Sequence, residues 1–102
     1  MQLRTEQDKV PRRMNKDKRK EALVLTMEEC GELVQACSKV IRTMDNKEPD
    51  EKWTKNLQQE IGDVACMIEI LLMAGYVTRD QIEERKKVKK RKLSKWSTIF
   101  KK

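Results

Sequence analysis

Very little in this chain can stop a helix. Two prolines and three glycines are all that 102 residues contain of the ordinary helix breakers. Runs of β-branched residues are absent and aromatic residues make up only 4% of the chain, so the usual material of a sheet is missing. Apolar residues recur instead at helical spacing. Leu23, Met27, Cys30, Val34, Cys37, Ile41 and Met44 alternate steps of four and three, the stripe of an amphipathic helix. Leu57, Ile61, Val64, Ile68, Leu71 and Leu72 mark a second stripe. The spacing predicts helices over residues 18–44 and 51–74, separated by the turn signal DNKEPD at 45–50. Gly75 suits a C-terminal cap. Thr78 with Gln81 three residues later forms the pattern of a capping box, which opens a third helix over residues 79–96.

The fold class is therefore all-α, with one domain over residues 18–102 behind a basic N-terminal extension, residues 1–17. With 37% apolar and 40% charged residues, such a short chain buries a modest core. A homodimer or dimer of dimers is expected to complete it, with helices from two chains forming a four-helix bundle.

Residues 1–20 contain no apolar core of a secretory signal. The longest apolar run, VACMIEILLMAG from Val64, is too short to span a bilayer and carries Glu69. Cys30, Cys37 and Cys66 are odd in number, show no CxxC spacing, and have no histidine to join them. This argues against a disulfide framework or a zinc site and suits reduced thiols in a cytoplasmic protein. No membrane partner is expected.

Charge is segregated. Residues 1–20 hold eight basic and three acidic side chains, residues 21–84 six basic and fourteen acidic, and residues 85–102 ten basic and none acidic. An acidic centre between two basic ends suits a site where metal cations meet a polyanion. It also suits a nucleic-acid binder with an unrelated middle.

The acids of that centre stand in unusual places. At about 100° per residue, Glu29 falls on a flank shared with Ala22, Ala36 and Val40, a second apolar face of the first helix. Glu32 lies about 60° further round, near Leu25, and Glu28 further towards solvent. On the second helix Glu60 and Asp63 share a face with Met67, Ile70, Leu71 and Ala74, whereas Glu69 points the other way. One reading is that these acids are solvated or pair with surface lysines. The other is a convergent cluster. Two like charges about 5 Å apart at an effective dielectric of about 20 repel by about 3 kcal/mol, so four converging carboxylates require a compensating cation. Oxygen ligands without His or Cys point to Mg²⁺, or Mn²⁺ in its place. A di-iron bundle needs Glu-x-x-His pairs, which a chain without histidine lacks.

EECGE from Glu28, followed by EIGD from Glu60, resembles the EExxE…ExxD signature of the MazG-like all-α nucleoside triphosphate pyrophosphohydrolases. The flanking EECGELVQACSK and NLQQEIGDV are similar to that family's helices, and the resemblance covers about residues 21–96. It implies a Mg²⁺-dependent enzyme of nucleotide-pool housekeeping. Such an enzyme cuts a nucleoside or deoxynucleoside triphosphate between the α and β phosphates, giving a monophosphate and pyrophosphate. It implies Glu29, Glu32, Glu60 and Asp63 as metal ligands. Glu28 would orient or deprotonate the attacking water, or bind an outer metal.

On the third helix Arg85, Lys86 and Lys89 share a stripe with Ile82, Leu93 and Trp96. Either their stems lie along the core edge or their heads reach the β and γ phosphates. Many family members carry an asparagine near the middle of this helix, and none occurs here between Arg79 and Trp96. Trp53 and Trp96 are candidates to stack on a nucleobase or to be buried structural rings. Asn56 is a candidate to read a base edge or simply a residue of the second helix's first turns. The competing function is a basic helical nucleic-acid-binding or interaction module. Such a module gains nothing from four inward acids, so nucleic acid is the less favoured partner.

Overall fold

The computed structural model describes residues 14–45 and 50–102. It is all-helical: α1 spans Lys16–Thr43, α2 Glu51–Met73 and α3 Arg79–Trp96. Most of the N-terminal extension and residues 46–49 of the expected turn lie outside the described residues.

The helix ends follow local chemistry. Asn15 caps α1, its side-chain oxygen accepting from the Lys18 amide at 2.9 Å. That starts the helix two residues before the expected position, because the cap lies ahead of the first apolar residue of the stripe. Asp50 caps α2 by accepting from the Lys52 amide at 3.0 Å. At the other end Ala74 is followed by Gly75 at φ 85°, a conformation that favours glycine. The Tyr76 amide donates to the Leu71 carbonyl and the Gly75 amide to the Leu72 carbonyl, the paired bonds of a Schellman ending. Thr78 and Gln81 form the expected capping box, with reciprocal bonds of 3.1 and 3.0 Å.

The main packing is between α1 and α2. The side chains buried there are Ala22 and Ala36 of α1, with Met67 and Ala74 at the α2 side. Half-buried Leu33 and Val40 extend the α1 face, and Leu57, Val64, Ile70 and Leu71 extend that of α2. Small residues on α1 let the two backbones approach. The face predicted as the secondary one, carrying Ala22, Glu29, Ala36 and Val40, is thus the one that meets α2. The long stripe is left outside: Met27, Val34, Ile41 and Met44 are each 65–73% exposed. Cys30, Cys37 and Cys66 are free and exposed.

α3 has no buried residue. It is joined to α2 by the Gly75–Thr78 connection and by an Arg79–Glu69 contact of 3.4 Å. The radius of gyration is 17.1 Å, against about 13 Å for a compact chain of this length. Among the described residues, no helix is long and apolar enough to cross a membrane.

Candidate metal centre

Three acids meet at the seam between α1 and α2. There α1 supplies Glu29 and α2 supplies Glu60 and Asp63, one turn apart. One carboxylate oxygen from each lies within 4.8 Å of the others. Glu29 and Glu60 are half-buried and Asp63 is exposed, so the group opens to solvent on one side.

The other polar side chains of the α1 packing face are satisfied locally. Thr26 donates its hydroxyl to the Ala22 carbonyl at 2.8 Å, and Thr43 donates to Val40 at 3.1 Å. The acids differ. Glu29 Oε1 and Glu60 Oε1 are both shut off from solvent with no hydrogen-bond partner. Leaving such an atom unpaired is costly, and a water or a cation placed between the acids would satisfy both. Asn56, one turn before Glu60 on α2, donates to the other oxygen, Glu60 Oε2, at 3.5 Å.

Electrostatics agree with the geometry. Burial first, then the negative charges of Glu32, Asp63 and Glu60, hold the Glu29 carboxyl above its ordinary range. A carboxyl in this position keeps a proton where a free glutamate would lose it. A cation at the same place would take over the neutralising role of that proton.

The donor set is all carboxylate oxygen, which suits Mg²⁺ or Mn²⁺. Two oxygens bound to one Mg²⁺ at about 2.1 Å each lie at most about 4.2 Å apart. Octahedral geometry sets neighbouring oxygens about 3 Å apart, so the three acids need to close by up to about 2 Å, which a change of side-chain rotamer can supply. Residues and ion fit.

Not every expected residue joins the group. Glu32 is exposed and lies outside the three-oxygen cluster, although its charge reaches Glu29. Glu28 is exposed on α1. Arg85, Lys86 and Lys89 are exposed on α3, with Lys86 paired to Glu83 at 3.0 Å. Trp96 is 84% exposed at the end of α3, so within one chain it is not a buried structural ring.

Trp53 is half-buried at the start of α2. The ammonium groups of Lys39 and Lys52 each lie over its ring, 4.8 Å from the centroid. Lys39 did not emerge from the sequence. Its place beside Trp53 depends on the hairpin closing, and no local motif announces it. No family model matches the chain, and no curated protein or solved structure matches it either.

Proposed function

We propose that the chain is a Mg²⁺-dependent nucleoside triphosphate pyrophosphohydrolase of the MazG-like all-α kind, acting in the cytoplasm. The observation that carries this reading is the convergence of Glu29, Glu60 and Asp63 with two solvent-shielded, unpartnered oxygens. The EExxE…ExxD pattern supplies the reaction class. Glu29, Glu60 and Asp63 would hold the cation, with Glu32 completing the set by a change of rotamer.

When bound, the cation neutralises the triphosphate and lowers the pKa of a coordinated water. The chain's own groups do the rest. Asn56 would steady one Glu60 oxygen through a long contact of 3.5 Å. Glu29 and Glu60, half-buried in the seam, are the acids that the packing restrains, while Asp63 stands on the open side. Glu28, next to Glu29 and exposed, is the group assigned to take a proton from the attacking water. The water oxygen adds to the α phosphorus in line as pyrophosphate leaves.

A homodimer or dimer of dimers belongs to the same reading. An exposed stripe from Met27 to Met44 and a third helix without a buried residue both lack cover within one chain. Pairing α1 and α2 with their copies in a four-helix bundle would supply it. It would also bring a second copy's α3, with Arg85, Lys86 and Lys89, towards the triphosphate. A basic nucleic-acid-binding module would account for α3 but leaves the acids in the seam without a purpose.

The decisive experiment is product analysis. Incubated with Mg²⁺ and a panel of ribo- and deoxynucleoside triphosphates, the protein is expected to release pyrophosphate and the monophosphate. Diphosphate and orthophosphate as primary products would exclude cleavage between the α and β phosphates.

A further inference from the structure

The end of the hairpin near Trp53 carries a second constellation, distinct from the acids. Lys39 comes from the last turns of α1, and Lys52 and Trp53 from the first turn of α2. Both ammonium groups sit 4.8 Å from the centre of the indole ring. Two open depressions flank the ring. One, of about 410 Å³, is lined by Lys39, Arg42, Thr43 and Trp53. The other, of about 560 Å³, is lined by Glu51, Lys52, Trp53, Lys55, Asn56 and Gln59. Four cations thus surround one ring, with Glu51 the sole acid in either lining. Among the described residues none of the four is engaged in a salt bridge.

We propose that Lys39 and Lys52, steadied by Trp53, bind the outer phosphates of a polyphosphate chain whose inner end lies at the Glu29–Glu60–Asp63 seam. This rests on the metal-dependent nucleotide reading of that seam. The register supports it. Trp53, Asn56 and Glu60 follow one another at steps of three and four on one face of α2. Trp53 therefore stands two turns, about 10 Å, from Glu60 along the helix. A triphosphate is shorter than this from end to end, and the metal–oxygen and ammonium–oxygen contacts at its two ends make up the difference. Asn56 connects the two ends, lining the depression beside Trp53 while donating to Glu60 Oε2.

The ring itself favours phosphate over a nucleobase. A base stacking on a face of Trp53 that carries an ammonium displaces it and loses a cation–π contact. A phosphate meets the same ammonium groups from their outer side and leaves those contacts intact. Trp53 is then a positioning residue, and the lysines are the groups that touch the ligand.

Inorganic triphosphate is the probe, because it has the phosphates and no base. Its binding to the full chain, measured by titration calorimetry in Mg²⁺, is expected to weaken tenfold or more in the Lys39→Met/Lys52→Met double variant. Binding of a nucleoside monophosphate should be unchanged, as should the rise in melting temperature that Mg²⁺ alone produces. Lys39→Arg/Lys52→Arg should restore most of the triphosphate affinity, which separates lost charge from lost packing. Failure of the wild type to bind triphosphate overturns the proposal. So does equal affinity in the double variant, or a loss confined to the monophosphate, which would put the base end at Trp53. The two readings fail separately. A protein that binds triphosphate through these lysines but hydrolyses no nucleotide refutes the hydrolase alone. One that hydrolyses nucleotides with undiminished triphosphate binding in the double variant refutes the lysine site alone.

Discussion

The α1–α2 hairpin and α3 obey the same rules at their ends and differ in everything between. Asn15, Asp50 and Thr78 cap their helices in the same way, each by accepting from a backbone amide in the first turn. The hairpin then buries alanines against Met67 and Ala74, and uses that close seam to hold three acids together. α3 buries nothing. Arg79 joins it to the hairpin through an ion pair with Glu69 whose side chains are each about half exposed, an interaction worth at most about 1 kcal/mol. Capping therefore decides where a helix begins, whereas packing decides whether it can hold a functional group in place. In one chain the hairpin brings three acids together, and α3 holds no buried residue to do the same.

The largest expected effect is at Asp63. Asp63→Asn keeps the size of the side chain and removes a charge and a strong ligand. Activity is expected to fall a hundredfold or more, about 3 kcal/mol in the transition state. Stability in chelator should hold or rise, because one source of repulsion is gone, and the gain in stability with about 10 mM Mg²⁺ should shrink. Melting curves with and without metal provide the check. A variant that melts lower in chelator, beside a wild type indifferent to Mg²⁺, would make Asp63 a structural acid.

The exposed stripe comes next. Val34 is 69% exposed and Ile41 is 65% exposed. If both face water, Val34→Glu/Ile41→Glu changes stability by no more than about 1 kcal/mol, the usual range for two surface changes. If a second copy covers them, each buried charge costs several kcal/mol. We expect the latter, seen as a fall to monomer mass in light scattering and a melting temperature lower by about 10 °C or more.

The contrast also shows what a sequence can and cannot disclose. Helix ends were legible because caps are local: Thr78 and Gln81 lie three residues apart, and Gly75 follows the last apolar turn. The flank with Glu29, Ala22, Ala36 and Val40 was visible from angular position alone, and so was the face with Glu60, Asp63, Met67 and Ala74. Which face of α1 meets α2 was not. Large apolar residues dominate any stripe counted from sequence, while close approach of two helices is set by small ones such as Ala22 and Ala36. The angular estimate placed Glu32 beside Glu29, yet only Glu29 reaches across to Glu60 and Asp63. An angle on one helix says nothing of the gap to the next. Lys39 beside Trp53 was invisible for the same reason.

Removing a cap separates the two regions more finely. Thr78→Ala should cost about 1 kcal/mol of helix stability. With little packing to compensate, the loss should appear as faster amide exchange through the first turns of α3, with protection in the hairpin unchanged. Equal loss of protection in both would mean that α3 and the hairpin unfold as one unit, which this division of roles does not allow.

The smallest effect concerns pH and follows from Glu29. Burial and the neighbouring acids hold its carboxyl above the ordinary value of 4.5 when folded. Below that value Glu29 is protonated in both the folded and the unfolded chain, and contributes nothing. As pH rises above it, the unfolded chain releases the proton first while the folded chain keeps it. Protons bound are then fewer in the unfolded state, so stability falls as pH rises, and levels off once the folded carboxyl has also ionised. Glu29→Gln cannot titrate. The wild-type melting temperature in chelator, measured relative to that variant, should therefore decline from about pH 4.5 upwards. Added Mg²⁺ should reverse the trend, because the ion binds the deprotonated carboxylate and its hold strengthens as protons leave. An ion pair at Glu29 would give the opposite sign in chelator, with the wild type gaining on the variant as pH rises. The difference between the two melting curves decides between a vacant cation cage and a salt bridge, without any assay of turnover.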